Sequence, residues 1–288
     1  MFRTDCPCSR PAPPTSQSGV DVILSIVIVS YNTRELLARC VHSVIAATDV
    51  SHEIIVADNA SSDGSPGHIR ALFPGVRVME LGSNLGFGAA NNAAVKISSG
   101  ELLMFLNSDT EIRPHALDRM VAFFQQHPQV GIAAPNVVYP DGRFQLAAGA
   151  LPGLMQEFLD RRIHQRLNAG DEALRRRLRE QYRRPRQVGW VTGGCLMIRR
   201  NLFTRLNGFD EEMFMYFEDK DLCKRALDLH WQVMTVPDAE IIHVLGGSSA
   251  GAGGRLRAVY RQSQRRYYQK HLGWLSNKGL LFYQAMSK

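Results

Sequence analysis

Residues 102–109, Leu-Leu-Met-Phe-Leu-Asn-Ser-Asp, constrain this fold more than any other stretch. Five apolar residues in a row, with no polar alternation, describe a strand buried on both faces, as in a parallel sheet covered by helices on each side. The run stops abruptly at Asn107-Ser108-Asp109. In open α/β sheets ligands gather beyond the carboxyl ends of the strands, so this polar tip sits where a hard cation or a phosphate would be met. Taken alone, the same short side chains also serve as ordinary turn caps.

Strand and helix alternate ahead of this run. Ile23 to Val29 reads as a first strand ending in Ser30-Tyr31-Asn32. Thr33 then caps a helix whose Leu36, Leu37, Val41, Val44 and Ile45 recur at helical spacing. Glu53 to Ala57 reads as a second buried strand, with Asp58-Asn59-Ala60-Ser61-Ser62-Asp63-Gly64-Ser65 beyond it. A short helix near His68 to Phe73 and a third strand, Val76 to Leu81, follow. By the right-handed crossover rule these units make a parallel sheet with its strand tips on one edge. The next loop, Gly82 to Asn92, contains Asn84-Leu85-Gly86-Phe87-Gly88 and leads into a helix ending near Ser99-Gly100. Free backbone N–H groups at such a helix start suit a diphosphate. The dinucleotide fingerprint is absent, since the third glycine is missing and the loop follows the wrong strand. A plain tight turn fits the glycines as well.

The second half carries a different set of groups. Gly189 to Arg200 reads as a strand interrupted by Gly193 and Gly194, as where a ligand approaches backbone closely. Glu218-Asp219-Lys220-Asp221 places three acids at a helix start, where the macrodipole favours them. Apolar Met213 to Phe217 just ahead sets the first acids beside a low-dielectric wall, which raises a carboxylate towards a useful base. After a short strand, Gln232 to Val236, and a Pro-Asp turn comes Ile241-Ile242-His243. A lone histidine there is by itself as well explained as a structural residue. Gly246 to Gly254 reads as a mobile loop or a linker.

At 288 residues the chain can bury a large core. No stretch approaches the roughly 20 apolar residues of a membrane span, and the Pro- and Ser-rich leader 1–20 lacks the apolar middle of a secretory signal, so a cytoplasmic location is expected. The five cysteines lack disulfide or zinc spacing, and Cys6 and Cys8 read as an incidental pair. The net charge of +7 is concentrated in ten arginines between Arg161 and Arg186 and in a run from Arg255 to Lys270 that includes Tyr260, Tyr267 and Tyr268. Such patches attract polyanions or are solvated helix faces. No nucleic-acid-binding module is present in the pattern, so nucleic acid is not an expected partner.

Taken together, Ser25 to Asn32, Val56 to Ser65, Asn84 to Gly88 and Asn107-Ser108-Asp109, in that order, resemble the family 2 glycosyltransferases, inverting enzymes of the GT-A fold. Within them the chain is most similar to bacterial rhamnosyltransferase-like enzymes of cell-envelope polysaccharide assembly. The resemblance covers roughly residues 22–249 and implies an α/β fold with a mostly parallel sheet flanked by helices. It implies that Tyr31 packs near the base of a uridine or thymidine diphosphate sugar and that Asp58 reads the base edge. Ser30, Asn32, Asn84, Gly86, Asn107 and Ser108 complete the donor side. Gly193, Gly194 and Glu218 face the acceptor, and Asp219 is the general base, with Glu218 a substitute candidate for that role. The family's Asp-x-Asp motif departs here to Asn107-Ser108-Asp109, leaving Asp109, with His243, to hold Mg²⁺ or Mn²⁺. A catalytically silent sugar-nucleotide binder or scaffold is the alternative reading. A nucleotidyltransferase fits less well, because Ser30-Tyr31-Asn32-Thr33-Arg34 is not a Gly-rich phosphate loop.

The domain reading is a disordered leader (1–20), a GT-A domain (21–250) with an Arg-rich helical insertion at 155–187, and a basic helical tail (251–288). The insertion and the tail are expected to face an anionic membrane surface or the pyrophosphate of a polyprenol-linked glycan acceptor.

Overall fold

The structure is a computed structural model that describes residues 23–244 and 253–286. The leader with Cys6 and Cys8, and most of the Gly246–Gly254 segment, lie outside the described residues. The first half runs β1 (Leu24–Ser30), α1 (Arg34–Ala47), β2 (His52–Asp58), α2 (Ser65–Leu72), β3 (Arg77–Glu80), α3 (Phe87–Val95), β4 (Leu102–Asn107), β5 (Thr110–Ile112) and α4 (Ala116–Gln126). Then come β6 (Val130–Val138), β7 (Phe144–Gln145), β8 (Ala148–Gly149), α5 (Leu154–Asn168), α6 (Glu172–Gln181), β9 (Arg186–Gln187), β10 (Trp190–Val191) and β11 (Cys195–Arg199). The chain continues through α7 (Arg200–Arg205), α8 (Glu218–Asp228), β12 (Gln232–His243), α9 (Gly253–His271) and α10 (Gly273–Met286).

The central sheet has the order β3-β2-β1-β4-β11-β6-β12-β5. It is mostly parallel: β3, β2, β1 and β4 run together, and β12 runs parallel to β6. Strand β11 is antiparallel to both of its neighbours, and β5 is antiparallel to β12. The unbroken apolar run of β4 follows from its position. Leu102, Met104 and Leu106 join the core layer with α1, α2 and α4, whereas Leu103 and Phe105 join the opposite layer with α3, α7 and α8.

Three local expectations change. Thr33 occupies the N-cap position of α1 without a capping hydrogen bond. Its hydroxyl donates to Ser108 Oγ at 2.8 Å instead, so tertiary structure wins over the local cap. The helix after the Gly82–Asn92 loop ends at Val95, short of Ser99-Gly100. The Pro237-Asp238 pair does not end a strand. It is accommodated by a register shift between Val236 and Glu240, so Gln232 to His243 is one continuous strand.

Helices α5 and α6 pack through Leu167 and Leu178 onto Phe144 of β7. Helices α9 and α10 form a hairpin whose Tyr267, Tyr268 and Leu280 bury against Met213 and Phe217, ahead of α8. The two tyrosines are therefore core residues and do not sit on an outward basic face.

Candidate active site

The strand register brings the polar tips together. Ser30 pairs with Asp58 and Val29 with Asn107. The Ser30 and Thr33 hydroxyls lie 3.1 Å apart, and with the Thr33–Ser108 bond they form a hydroxyl relay between the tips of β1 and β4. Asp58 Oδ2 accepts from the Ser61 N–H at 2.8 Å, but Asp58 Oδ1 is buried with no partner among the described residues. An unpaired buried carboxylate oxygen is costly, which fits a position reserved for a ligand N–H. Tyr31, directly after β1, is 39 % exposed.

Asn32 and Asn84 both hold loops at the tip edge. Asn32, at φ 52°, accepts from the Ser62 N–H at 2.8 Å and so holds the loop after β2. Asn84 Oδ1 accepts from the Gly86 N–H at 3.1 Å. Gly86 has φ +86°, and a Cβ there would run into the carbonyl of Phe214. The adjacent Phe87 N–H donates to that carbonyl at 2.9 Å, tying the Asn84–Gly88 loop to the chain ahead of α8. Asn59 completes the clamp: its amide donates to the Gly86 carbonyl at 3.2 Å and accepts from the Leu85 N–H at 3.2 Å. Asn59 escaped the sequence reading although it sits inside the Asp58-Asn59 motif.

Asp109, in the turn between β4 and β5, and His243, the last residue of β12, meet. His243 pairs with Thr110 across β12 and β5, which sets its Nε2 3.2 Å from Asp109 Oδ1. Asn107 Nδ2 lies 3.4 Å from the same nitrogen. On the other side of the ring, the Gln145 amide is 3.3 Å from Nδ1, and Gln145 Oε1 is buried without a partner among the described residues. Turning that amide over lets Oε1 accept from Nδ1–H, leaving Nε2 as a lone pair beside the carboxylate. A carboxylate, an imidazole and an adjacent amide form a donor set that fits Mg²⁺ or Mn²⁺. Elsewhere, Asp49, His115 and Asp118 are also spaced for a cation. That group is at the opposite edge, before β2, and Asp118 already accepts from the N–H groups of Asp49 and Val50.

The acidic pair faces the tips across two glycines. Gly194 O accepts from the Asn107 N–H at 3.0 Å, while the Gly193 N–H donates to Asp219 Oδ2 at 2.9 Å. A Cβ on Gly193 would press on Phe87 at 3.1 Å and on Asp219 Cβ at 3.3 Å, so only glycine leaves the carboxylate where it is. Burial pushes the Asp219 carboxyl up. Burial, with the neighbouring Asp219 charge, pushes Glu218 well above the usual carboxylate range, and Glu218 Oε2 has no partner among the described residues. Lys220 caps this group, its ammonium 4.6 Å from the Trp190 ring and 4.4 Å from that of Phe217. Neither Lys220 nor Trp190 was singled out from sequence, since the cation–π geometry joins residues thirty positions apart.

The turn that aims these acids is strained. Tyr216 and Phe217 both have left-handed backbones, at φ 69° and 66°. Each costs on the order of 1–3 kcal/mol and persists only when its surroundings hold it. The holding comes from the C-terminal hairpin: Phe217 packs on Tyr260 and Tyr267, and Ser263 Oγ donates to the Met215 carbonyl at 2.8 Å.

The family model described as glycosyl transferase family 2 matches residues 25–206, more than half of the chain. The chain belongs to glycosyl transferase family 2. It is accordingly a glycosyltransferase enzyme. A second model, the N-terminal domain of galactosyltransferase, matches residues 175–245. The chain is 30 % identical over 271 residues to the N-acetylglucosaminyl-diphospho-decaprenol L-rhamnosyltransferase of Mycobacterium tuberculosis, covering 88 % of this chain and 86 % of that one. It is 29 % identical over 266 residues to the O-antigen biosynthesis protein RfbC of Myxococcus xanthus, covering 90 % of this chain and 20 % of that one. Among solved structures it resembles GalNAc-T7 with UDP, GalNAc and Mn²⁺, at TM-score 0.61 and 20 % identity, over 86 % of this chain and 50 % of that one. It also resembles the Pyrobaculum calidifontis mannosyltransferase PcManGT with GDP-Man and Mn²⁺, at TM-score 0.58 and 17 % identity, over 91 % of this chain and 68 % of that one. These are GT-A glycosyltransferases, and the likeness establishes the GT-A fold for this family 2 chain.

Proposed function

We propose that this glycosyltransferase moves a sugar, rhamnose first among the candidates, from a thymidine or uridine diphosphate donor to a hydroxyl of a lipid-linked glycan. The transfer proceeds with inversion and serves cell-envelope polysaccharide synthesis. One observation carries the reading. Asp219 accepts from the Gly193 N–H, and the next residue, Gly194, accepts from the Asn107 N–H, which supports a base one backbone step from the tip edge. A direct displacement needs one base aligned with a donor and no covalent nucleophile. The rhamnosyltransferase relative supports the acceptor class, since its name gives a diphospho-decaprenol-linked N-acetylglucosamine as its substrate.

Asp219 takes the proton of the acceptor hydroxyl as its oxygen attacks the anomeric carbon and the bond to the diphosphate breaks. A carboxylate lifted above its ordinary range is the better base for this step. Asp58 Oδ1 accepts from the imide N–H of the base, with Tyr31 against its face, and Gly86 keeps the loop to α3 close to the phosphates. Asp109 and His243 would hold a divalent cation, which when bound supplies positive charge for the leaving diphosphate. Glu218 lines the acceptor side.

The test is donor binding and hydrolysis over a panel of uridine and thymidine diphosphate sugars, with and without Mn²⁺, for the natural chain and Asp219→Asn. Metal-dependent binding that survives the substitution while turnover collapses supports the reading. Failure to bind any donor in the panel rejects it.

A further inference from the structure

Helix α10 turns an apolar face outward. Trp274, Leu275, Lys278, Leu281 and Phe282 follow the i, i+1, i+4, i+7, i+8 spacing of one helix face, and all are exposed. Trp274 is 66 %, Leu275 75 % and Phe282 70 % accessible, the reverse of what a helix closing a soluble domain presents. The opposite face is the buried one, through Leu280 and Gln284.

The patch continues onto a neighbouring helix. At Gly279 the backbone of α10 approaches Leu154 of α5 so closely that a Cβ would collide with it. From that contact the first turns of α5 expose Met155, at 71 %, together with Phe158 and Leu159. Basic groups rim the joint surface. Lys278 Nζ sits 3.9 Å over the Trp274 ring, and the Arg162 guanidinium 5.5 Å over that of Phe158. Apolar Trp, Leu and Phe framed by Lys and Arg make up the composition of helices that lie in a headgroup layer. No helix among the described residues is long and apolar enough to cross a membrane.

We infer that the joint face of α5 and α10 seats the enzyme on an anionic lipid bilayer, with Trp274, Leu275, Phe282, Met155 and Phe158 entering the headgroup region and Lys278 and Arg162 meeting lipid phosphates. The basic rim selects this occupant over an apolar protein partner, because it complements a negatively charged leaflet. The proposal deepens the reading above by supplying the place where a lipid-linked acceptor would be met.

The experiment is co-sedimentation of the full chain with phosphatidylcholine vesicles, with and without phosphatidylglycerol, at low and high salt. No sugar or metal is present, so the outcome is separate from that of the donor panel. The natural chain is expected to pellet with the anionic vesicles at low salt and to be released by high salt. Trp274→Ala with Phe282→Ala is expected to weaken binding to the anionic vesicles by about tenfold or more at low salt. Lys278→Glu with Arg162→Glu is expected to weaken it by at least about fivefold per charge at low salt only. These positions are exposed, so circular dichroism and donor binding should match the natural chain. A natural chain that stays in the supernatant overturns the proposal. So does a natural chain that is dimeric in solution and becomes monomeric in the Trp274/Phe282 variant, which would give the face to a second copy.

Discussion

His271 Nε2 lies 2.7 Å from Asp221 Oδ1, joining the end of α9 to the first turn of the helix that carries Asp219. Asp221 is fully buried and is also met by Lys270 at 2.9 Å and Arg225 at 2.7 Å. Residues of α9 thus hold the helix of Asp219 through Asp221 and the strained turn ahead of it by aromatic packing.

Acid should loosen this joint. Burial pushes the Asp221 carboxyl up, but His271, Arg225 and Lys270 outweigh it and bring the group from 3.8 down to about 2. A lowered folded-state value means a contribution fully present above the ordinary value and lost as pH falls through the folded one. That contribution is roughly 2 kcal/mol, declining between about pH 4 and pH 2. Asp221→Asn should flatten that part of the stability curve measured by urea unfolding. At neutral pH it should cost about 3–5 kcal/mol, because Arg225 and Lys270 lose their buried anionic partner.

Turnover should have an acid limb set by Asp219. Because burial raises its carboxyl above the ordinary 3.8, the protonated, inactive form persists to higher pH than for an exposed aspartate. The rate should fall as pH drops through that raised value. Asp219→Asn should lower kcat by about a hundred- to ten-thousandfold, remove the limb and leave donor affinity within about twofold. A kcat–pH profile of both chains decides.

Gly193→Ala should act through position alone. Its new methyl meets Phe87 and Asp219 Cβ, so the carboxylate must shift by a few tenths of an ångström. Expected is a kcat loss of at least about tenfold with an unchanged melting temperature and an unchanged donor KM. An equal loss of donor binding would place Gly193 on the donor side instead.

Metal dependence should run through the ring of His243. Gln145→Leu removes the amide behind Nδ1 without touching Asp109, and it should weaken Mn²⁺-dependent donor binding by about ten- to a hundredfold. His243→Ala should abolish the Mn²⁺ dependence altogether. Calorimetric titration with and without a chelator reads both.

Much of the donor half is readable from the chain. Continuous apolar runs ending in Ser30, Asp58 and Asn107 imply parallel strands whose tips share an edge, and the register confirms that alignment. The partners of those tips are harder to read. Thr33 looks like a helix cap because capping is local, whereas its bond to Ser108 spans 75 positions. Pro237-Asp238 resembles a turn because a bulge is invisible without the partner strand that absorbs it. Tyr267 and Tyr268 sit in a basic run, and only the packing of Phe217 reveals that they face inward. The direction of β11 is likewise unwritten in its apolar residues, which are equally compatible with either polarity.

That reversed strand has a consequence for how the enzyme can diversify. A parallel strand reaches the site with its last residue, but β11 leaves the site with its first, so a turn preceding it delivers main-chain N–H groups to the edge. Apart from His243, the groups proposed for the nucleotide therefore sit in one contiguous stretch, Ser30 to Asp109, and those proposed for the incoming hydroxyl in another, Gly193 to Asp219. Exchange of the second stretch between relatives would give new linkages from the same activated sugar, with the seam at the Asn107–Gly194 hydrogen bond.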